Sequence, residues 1–163
     1  MFSGEPCTNR RHFLMGLAAA AALPHRAFAA LSPQPFTQIP LWKGTPPGGG
    51  GPTGPRIASP SGAIRHISEP DLSVLTPRAP NGHGVLNAAG GGYKQIQTGK
   101  EALPAAQWLV ARGYTAYILT YRLPSEGWHD GDRVALQDAQ RALRIIRQRE
   151  KQVSVLGFSA GGH

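Results

Sequence analysis

Cysteine is almost missing from this chain: Cys7 is the single cysteine in 163 residues, and it lies ahead of the paired arginines at Arg10-Arg11. Everything downstream therefore has no disulfide, no thiol nucleophile and no thiolate metal site. Charge is also scarce, at 16% of residues, which argues against a charged disordered tail, a basic nucleic-acid arm or a coiled coil. Acidic residues are the rarer sign, nine against 17 Lys and Arg, and the formal net charge is +8. No Lys/Arg block interleaves with aromatics, so nothing beyond bulk charge speaks for nucleic acid, and none is expected as a partner. Long apolar runs are lacking too. The uncharged stretch Phe13–Leu23 would rise only about 16 Å as a helix, half a bilayer core, and cannot span one. His66, His83 and His129 are scattered without metal-ligand spacing, and Asp130 and Asp132 around Gly131 read as turn and cap residues, so no metal site is expected.

What the chain has in quantity is glycine and proline, 21 and 15, spread unevenly. Its length allows one cored domain and not two. Residues 1–29 read as an export signal. Arg10-Arg11-His12-Phe13-Leu14 opens a basic-then-apolar stretch, and Ala27-Phe28-Ala29 supplies a small-x-small cleavage pattern. Paired arginines followed by x-Phe-Leu resemble a twin-arginine leader; an ordinary leader that begins with two Arg is the alternative. Both place the mature chain in the periplasm or outside the cell, with a membrane as partner during export alone.

Residues 30–60 carry a density of Pro and Gly that no hydrophobic period survives, including Pro46-Pro47-Gly48-Gly49-Gly50-Gly51-Pro52. This segment reads as a linker or long surface wrap, with Leu41-Trp42 as its apolar anchor. Residues 61–163 read as the folded domain. Ala63–Ile67 and Leu72–Thr76 alternate like two antiparallel strands with one wet face, and Val85–Ala89 is a buried strand ending in Gly90-Gly91-Gly92-Tyr93. Glu101–Arg112 is a helix with Pro104 in its first turn and Gly113 as its stop; Tyr114–Tyr121 is a strand. Asp132 is placed to cap a helix to about Arg149, with Leu136, Ala139, Leu143 and Ile146 inward and cations gathered at its C-terminus. Val153–Leu156 is a last buried strand. Alternating strands and helices predict an α/β domain, a mostly parallel sheet with helices on both faces.

That last strand runs straight into Gly157-Phe158-Ser159-Ala160-Gly161, a G-x-S-x-G pattern. Such a strand-to-helix elbow holds the serine in a strained conformation, so residues two positions away must lack a Cβ. The turn lifts the hydroxyl above the sheet and starts a helix whose N–H groups face a developing oxyanion. A glycine-rich turn holding phosphate is the alternative, but G-K-[ST] and a following acidic ribose ligand are both missing, and no cofactor is expected. Gly90-Gly91-Gly92 is either a flexible loop or a second source of backbone donors for acyl transfer. Asp138 precedes the serine on a helix, three residues from Arg141, and reads as half of a structural ion pair. His163 is too close to Ser159 along the elbow to swing round as its base, and reads as structural.

Gly90-Gly91-Gly92-Tyr93 after a strand, Tyr121-Arg122-Leu123-Pro124 closing the next, Asp138-Ala139-Gln140-Arg141-Ala142 on a helix and Gly157–His163 occur in that order. Together they resemble the α/β-hydrolase esterases of the acetyl-xylan-esterase or bacterial feruloyl-esterase-like group. The resemblance covers roughly Leu41 and Ser61 through His163. It implies the N-terminal part of an α/β-hydrolase fold, cut just after the nucleophile elbow. It implies that Ser159 is the nucleophile and that the N–H groups of Gly91, Gly92 and Ala160 form the oxyanion hole. The substrate it implies is an acylated carbohydrate or other small ester, with a peptide as the alternative for the same fold and a non-catalytic glycan-binding remnant as the alternative from another class. In this fold the triad acid and then the histidine follow the serine, so both are expected beyond His163, and the 163 residues by themselves are expected to be inactive.

Overall fold

The computed structural model describes residues 36–163. The leader read at 1–29 lies outside the described residues. Five strands form the main sheet: β1 (Thr37–Pro40), β4 (Asp71–Leu75), β5 (His83–Ala88), β6 (Thr115–Thr120) and β7 (Gln152–Gly157). Two short strands, β2 (Ile57–Ala58) and β3 (Ile64–Arg65), pair in a separate antiparallel ribbon. The helices are α1 (Leu103–Val110) and α2 (Arg133–Arg147).

The main sheet has the order β1-β4-β6-β5-β7. β4 is antiparallel to both β1 and β6, whereas β5 is parallel to both β6 and β7. Only β4 runs against the other four, so the sheet is mostly parallel. The chain steps from β5 outward to β6 through α1, then back across β5 to β7 through α2. Right-handed crossovers in opposite directions put their helices on opposite faces. The contacts agree: Gly84 on β5 abuts Ile146 of α2, while Asn87, three residues on and therefore on the other face, donates to the Ala102 carbonyl at the foot of α1. Helices on both faces explain why all of β6 is buried and why Val85, Leu86, Ile118 and Leu119 anchor the core.

Several expectations are corrected. The strand-like runs at Ala63–Ile67 and Leu72–Thr76 do not pair with each other: β3 pairs with β2, whereas β4 sits between β1 and β6. β4 has no wet face, because Leu72, Val74 and Leu75 are all buried. Residues 36–60 are more than a wrap. Thr37–Pro40 forms the edge strand of the sheet, Leu41 is fully buried, and the glycine run then lies along Trp128–Asp130 through backbone bonds from His129 to Gly49 and from Asp130 to Gly48. Pro40 is tolerated because β1 is an edge.

The two helices differ from expectation in detail. A wide turn, Thr98–Ala102, precedes α1, and Pro104 falls in its first turn as expected. In α2 the buried positions are Val134, Asp138, Ala142 and Ile146, rather than Leu136, Ala139, Leu143 and Ile146. Leu136 is 59% exposed, beside Val155 of β7 at 58%. The polar Asp138 takes the inward stripe because its carboxylate is paired there, a choice hydrophobic periodicity cannot register. Asp132 makes no side-chain cap bond. Arg144 and Arg147 do occupy the last turn of α2, where the helix dipole favours cations.

Candidate active site

β5 and β7 are neighbours, and the loops leaving their carboxyl ends carry the two glycine motifs. Ser159 follows β7 directly and has a left-handed backbone, φ +47°, one of three such non-glycine residues among those described. That conformation costs of order 1–3 kcal/mol and persists only where the surroundings over-determine it. The surroundings here are backbone. A Cβ on Gly161 would lie 2.2 Å from the Ala88 carbonyl oxygen, and one on Gly157 would lie 2.5 Å from the Gly162 Cα. The turn folds so tightly on itself at Gly157 and against the end of β5 at Gly161 that only glycine fits at either position. The short helix Ser159–Gly162 follows, and Ser159 is solvent-exposed.

The second loop touches the first. A Cβ on Gly90 would come within 2.6 Å of the Phe158 carbonyl oxygen and 3.0 Å of the Ser159 Cβ. The polar groups of this loop are largely paired. Tyr121 Oη donates to the Ala89 carbonyl at 2.8 Å, and the Gly90 N–H donates to Glu101 Oε2 at 2.6 Å. The Gly90 and Gly91 carbonyls accept from Gln97 and Lys94, and Ser125 Oγ donates to the Tyr93 carbonyl at 2.8 Å. Against that background, the N–H groups of Gly91, Gly92 and Ala160 have no hydrogen-bond partner among the described residues. Unpaired donors from two touching loops beside a strained serine are what stabilisation of a tetrahedral oxyanion requires.

Burial, reinforced by Tyr93 and Glu101, pushes the Tyr121 phenol up to about 12. It therefore remains protonated and donating throughout the neutral range. The sign follows from the raised value: Tyr121 contributes its full stability below the free phenol value near 10 and loses it as pH rises toward 12.

Ser159 Oγ has no hydrogen-bond partner among the described residues; three of the four described histidines are hydrogen-bonded elsewhere, and the His129 ring lies against Gly49 and Gly50. His163 Nδ1 lies 3.1 Å from Tyr93 Oη, His83 Nε2 lies 2.9 Å from Ser154 Oγ, and His66 Nε2 lies 2.8 Å from the Thr53 carbonyl oxygen. Asp138 does form a structural ion pair, but its partner is Arg122, at 2.9 Å with both side chains fully buried, and not Arg141. Arg141 reaches the Leu41 carbonyl instead. Glu101, Tyr121 and Ser125 were not singled out as site residues by sequence reasoning; only Tyr121 had a signal, as the start of Tyr-Arg-Leu-Pro. An open apolar groove runs along the α2 face, lined by Tyr121, Leu136, Val155, Ala160 and His163. Gly157, Gly161 and Gly162 of the elbow also border it, so the groove opens beside the serine turn. No group of three or more His, Cys, Asp or Glu able to hold a metal occurs among the described residues.

No family model matches the chain. Over 100 residues it is 34% identical to the acetylxylan esterase of Xylanibacter ruminicola, a match that covers 56% of this chain and 20% of that protein. Among solved structures, the acetyl ester-xyloside bifunctional hydrolase from Caldicellulosiruptor lactoaceticus matches with a TM-score of 0.53 and 28% identity, covering 78% of this chain and 44% of that one. MGS-M1, an α/β hydrolase enzyme from a Medee basin deep-sea metagenome library, matches with a TM-score of 0.47 and 28% identity, covering 61% and 45%. The chain thus spans a fifth of the curated relative and less than half of either structure. The mixed, mostly parallel sheet with helices on both faces is the first part of an α/β-hydrolase fold.

Proposed function

We propose that this chain is the nucleophile-bearing part of an exported serine ester hydrolase that removes acyl groups from carbohydrate, with acetylated xylan as the substrate type. The observation that carries this reading is Ser159 at φ +47° on a turn that admits only glycine at 157 and 161, in contact with a loop whose Gly91 and Gly92 N–H groups have no partner among the described residues. The likeness to an acetylxylan esterase and to an acetyl ester-xyloside hydrolase supports the choice of ester and carbohydrate.

In this mechanism Ser159 Oγ attacks the ester carbonyl carbon while a histidine accepts its proton. Negative charge collects on the carbonyl oxygen, where the N–H groups of Gly91, Gly92 and Ala160 receive it, each worth about 3 kcal/mol of barrier. The sugar hydroxyl leaves with the proton, and water then cleaves the acyl-serine by the reverse sequence. In this fold the carboxylate and then the histidine follow the serine along the chain, so neither is sought among the residues before Ser159. The test is acetate release from acetylated xylan by the chain continued through its downstream reading frame, with a feruloylated arabinoxylan and a peptide library alongside. Acetate release is expected to dominate; cleavage confined to peptides would overturn the ester reading, and binding of xylan without turnover would overturn the enzymatic one.

Export belongs to the same proposal. Changing Arg10 and Arg11 together to Lys is expected to abolish appearance of the product outside the cytoplasm while the precursor accumulates within, as read by fractionation and immunoblot. Undiminished export of the double variant would rule out a twin-arginine signal.

A further inference from the structure

The peptide unit joining Ala89 to Gly90 is held at both ends by side chains from different elements. Its carbonyl accepts from Tyr121 Oη, just past the end of β6, and its N–H donates to Glu101 Oε2, on the turn that leads into α1. A peptide unit is planar, so bonds at its oxygen and its hydrogen fix the orientation of the whole plane. Only φ and ψ of Gly90 then separate this plane from the next, whose N–H belongs to Gly91. Gly90 lies close against Phe158 and Ser159, where an added Cβ would strike the Phe158 carbonyl oxygen. The bond to Glu101 is short and charge-assisted, the stronger kind. It also places an anion near a site that must gather negative charge, which opposes catalysis electrostatically. A carboxylate there is compensated only if the geometry it imposes is worth more than its repulsion.

We propose that Glu101 is a positioning residue: with Tyr121 it clamps the Ala89–Gly90 peptide so that the Gly91 and Gly92 N–H groups point to the oxyanion. The proposal rests on the reading of Ser159 as the acyl-transfer nucleophile. Glu101 touches no reacting atom and acts through Gly90.

The experiment uses the chain with its downstream continuation and the variants Glu101→Gln, Glu101→Ala, Tyr121→Phe and Ser159→Ala, on an activated acetyl ester. Glu101→Ala is expected to lower kcat about 100-fold, the order lost when a donor is misplaced or removed, with KM changed less than about threefold. Glu101→Gln keeps an acceptor oxygen for the Gly90 N–H and is expected to recover most of that loss. Tyr121→Phe and Glu101→Ala combined should cost less than the product of the single effects, because both act on one peptide plane. The amide proton of Gly90, followed by NMR in isotopically labelled protein, should move strongly upfield in Glu101→Ala and much less in Glu101→Gln. An unmoved Gly90 resonance overturns the clamp whatever the turnover shows, and so does unchanged kcat in Glu101→Ala, or a loss that Gln does not rescue. Parental turnover by Ser159→Ala would instead overturn the nucleophile reading, leaving the clamp to be decided by the Gly90 resonance.

Discussion

Ser159→Ala, in the chain continued through its downstream reading frame, is expected to lower kcat on 4-nitrophenyl acetate by about 10⁶-fold, the loss seen when the serine of a triad is removed. The figure is large because the members act as a unit: without Oγ there is no acyl-enzyme, and the histidine has no proton to move. What remains is binding and the oxyanion hole, together worth about 10³-fold over water. The 163 residues alone are expected to fall in that residual range with or without Ser159. A serine hydroxyl near neutral pH is a poor nucleophile without a base, and Ser159 Oγ has no hydrogen-bond partner among the described residues. Steady-state assays of the short and continued forms, each with its Ser159→Ala variant, check both statements. Robust Ser159-dependent turnover by the short form would show that these 163 residues already supply a base.

Asp138→Ala is expected to destabilise the continued chain by about 3–5 kcal/mol, the cost of leaving a buried charge without its partner. The Arg122 guanidinium is fully buried, and Asp138 accepts from its Nε and one terminal nitrogen, each at 2.9 Å. The same carboxylate accepts from the Arg122 backbone N–H at 2.9 Å and from Trp42 Nε1 at 2.8 Å. Arg122 further reaches the Pro47 carbonyl and Gln137, and its guanidinium lies 4.9 Å from the Trp128 ring centroid. One carboxylate therefore joins α2, the segment leaving β6 and the segment around Trp42. Arg122→Met with Asp138→Leu removes both charges and is expected to cost clearly less than the sum of the single changes, with Trp42 Nε1 and the buried backbone N–H of residue 122 left as the residual penalty. Urea unfolding of the two single variants and the double variant measures this. A single-variant cost under about 1 kcal/mol would show that the pair is incidental.

Much of the site was legible because its constraints are local. Gly157 and Gly161 flank Ser159 at the spacing an elbow demands, and the structure places them where a Cβ would strike backbone. The three glycines after β5 likewise read as a loop with exposed donors, and Gly91 and Gly92 are the ones left unpaired. Glu101 was not legible: it reads as an ordinary acidic residue at a helix start, and nothing in periodicity says that its carboxylate turns back eleven residues to Gly90. The inward stripe of α2 was misplaced for a related reason. Periodicity ranks Leu136 above Asp138, whereas burial followed the partner waiting just past the end of β6.

The sequence by itself determined the order of strands and helices from Leu72 onward, the parallel character of the sheet and the serine turn, since hydrophobic period and glycine spacing act over a few residues. Tertiary structure alone decided which strands are neighbours, the recruitment of Thr37–Pro40 to the edge of the sheet, the pairing of Asp138 with Arg122, and the hold of Tyr121 and Glu101 on a single peptide. Those are contacts across 11 to 69 residues of chain, and they depend on where the sheet brings strands and side chains together in space.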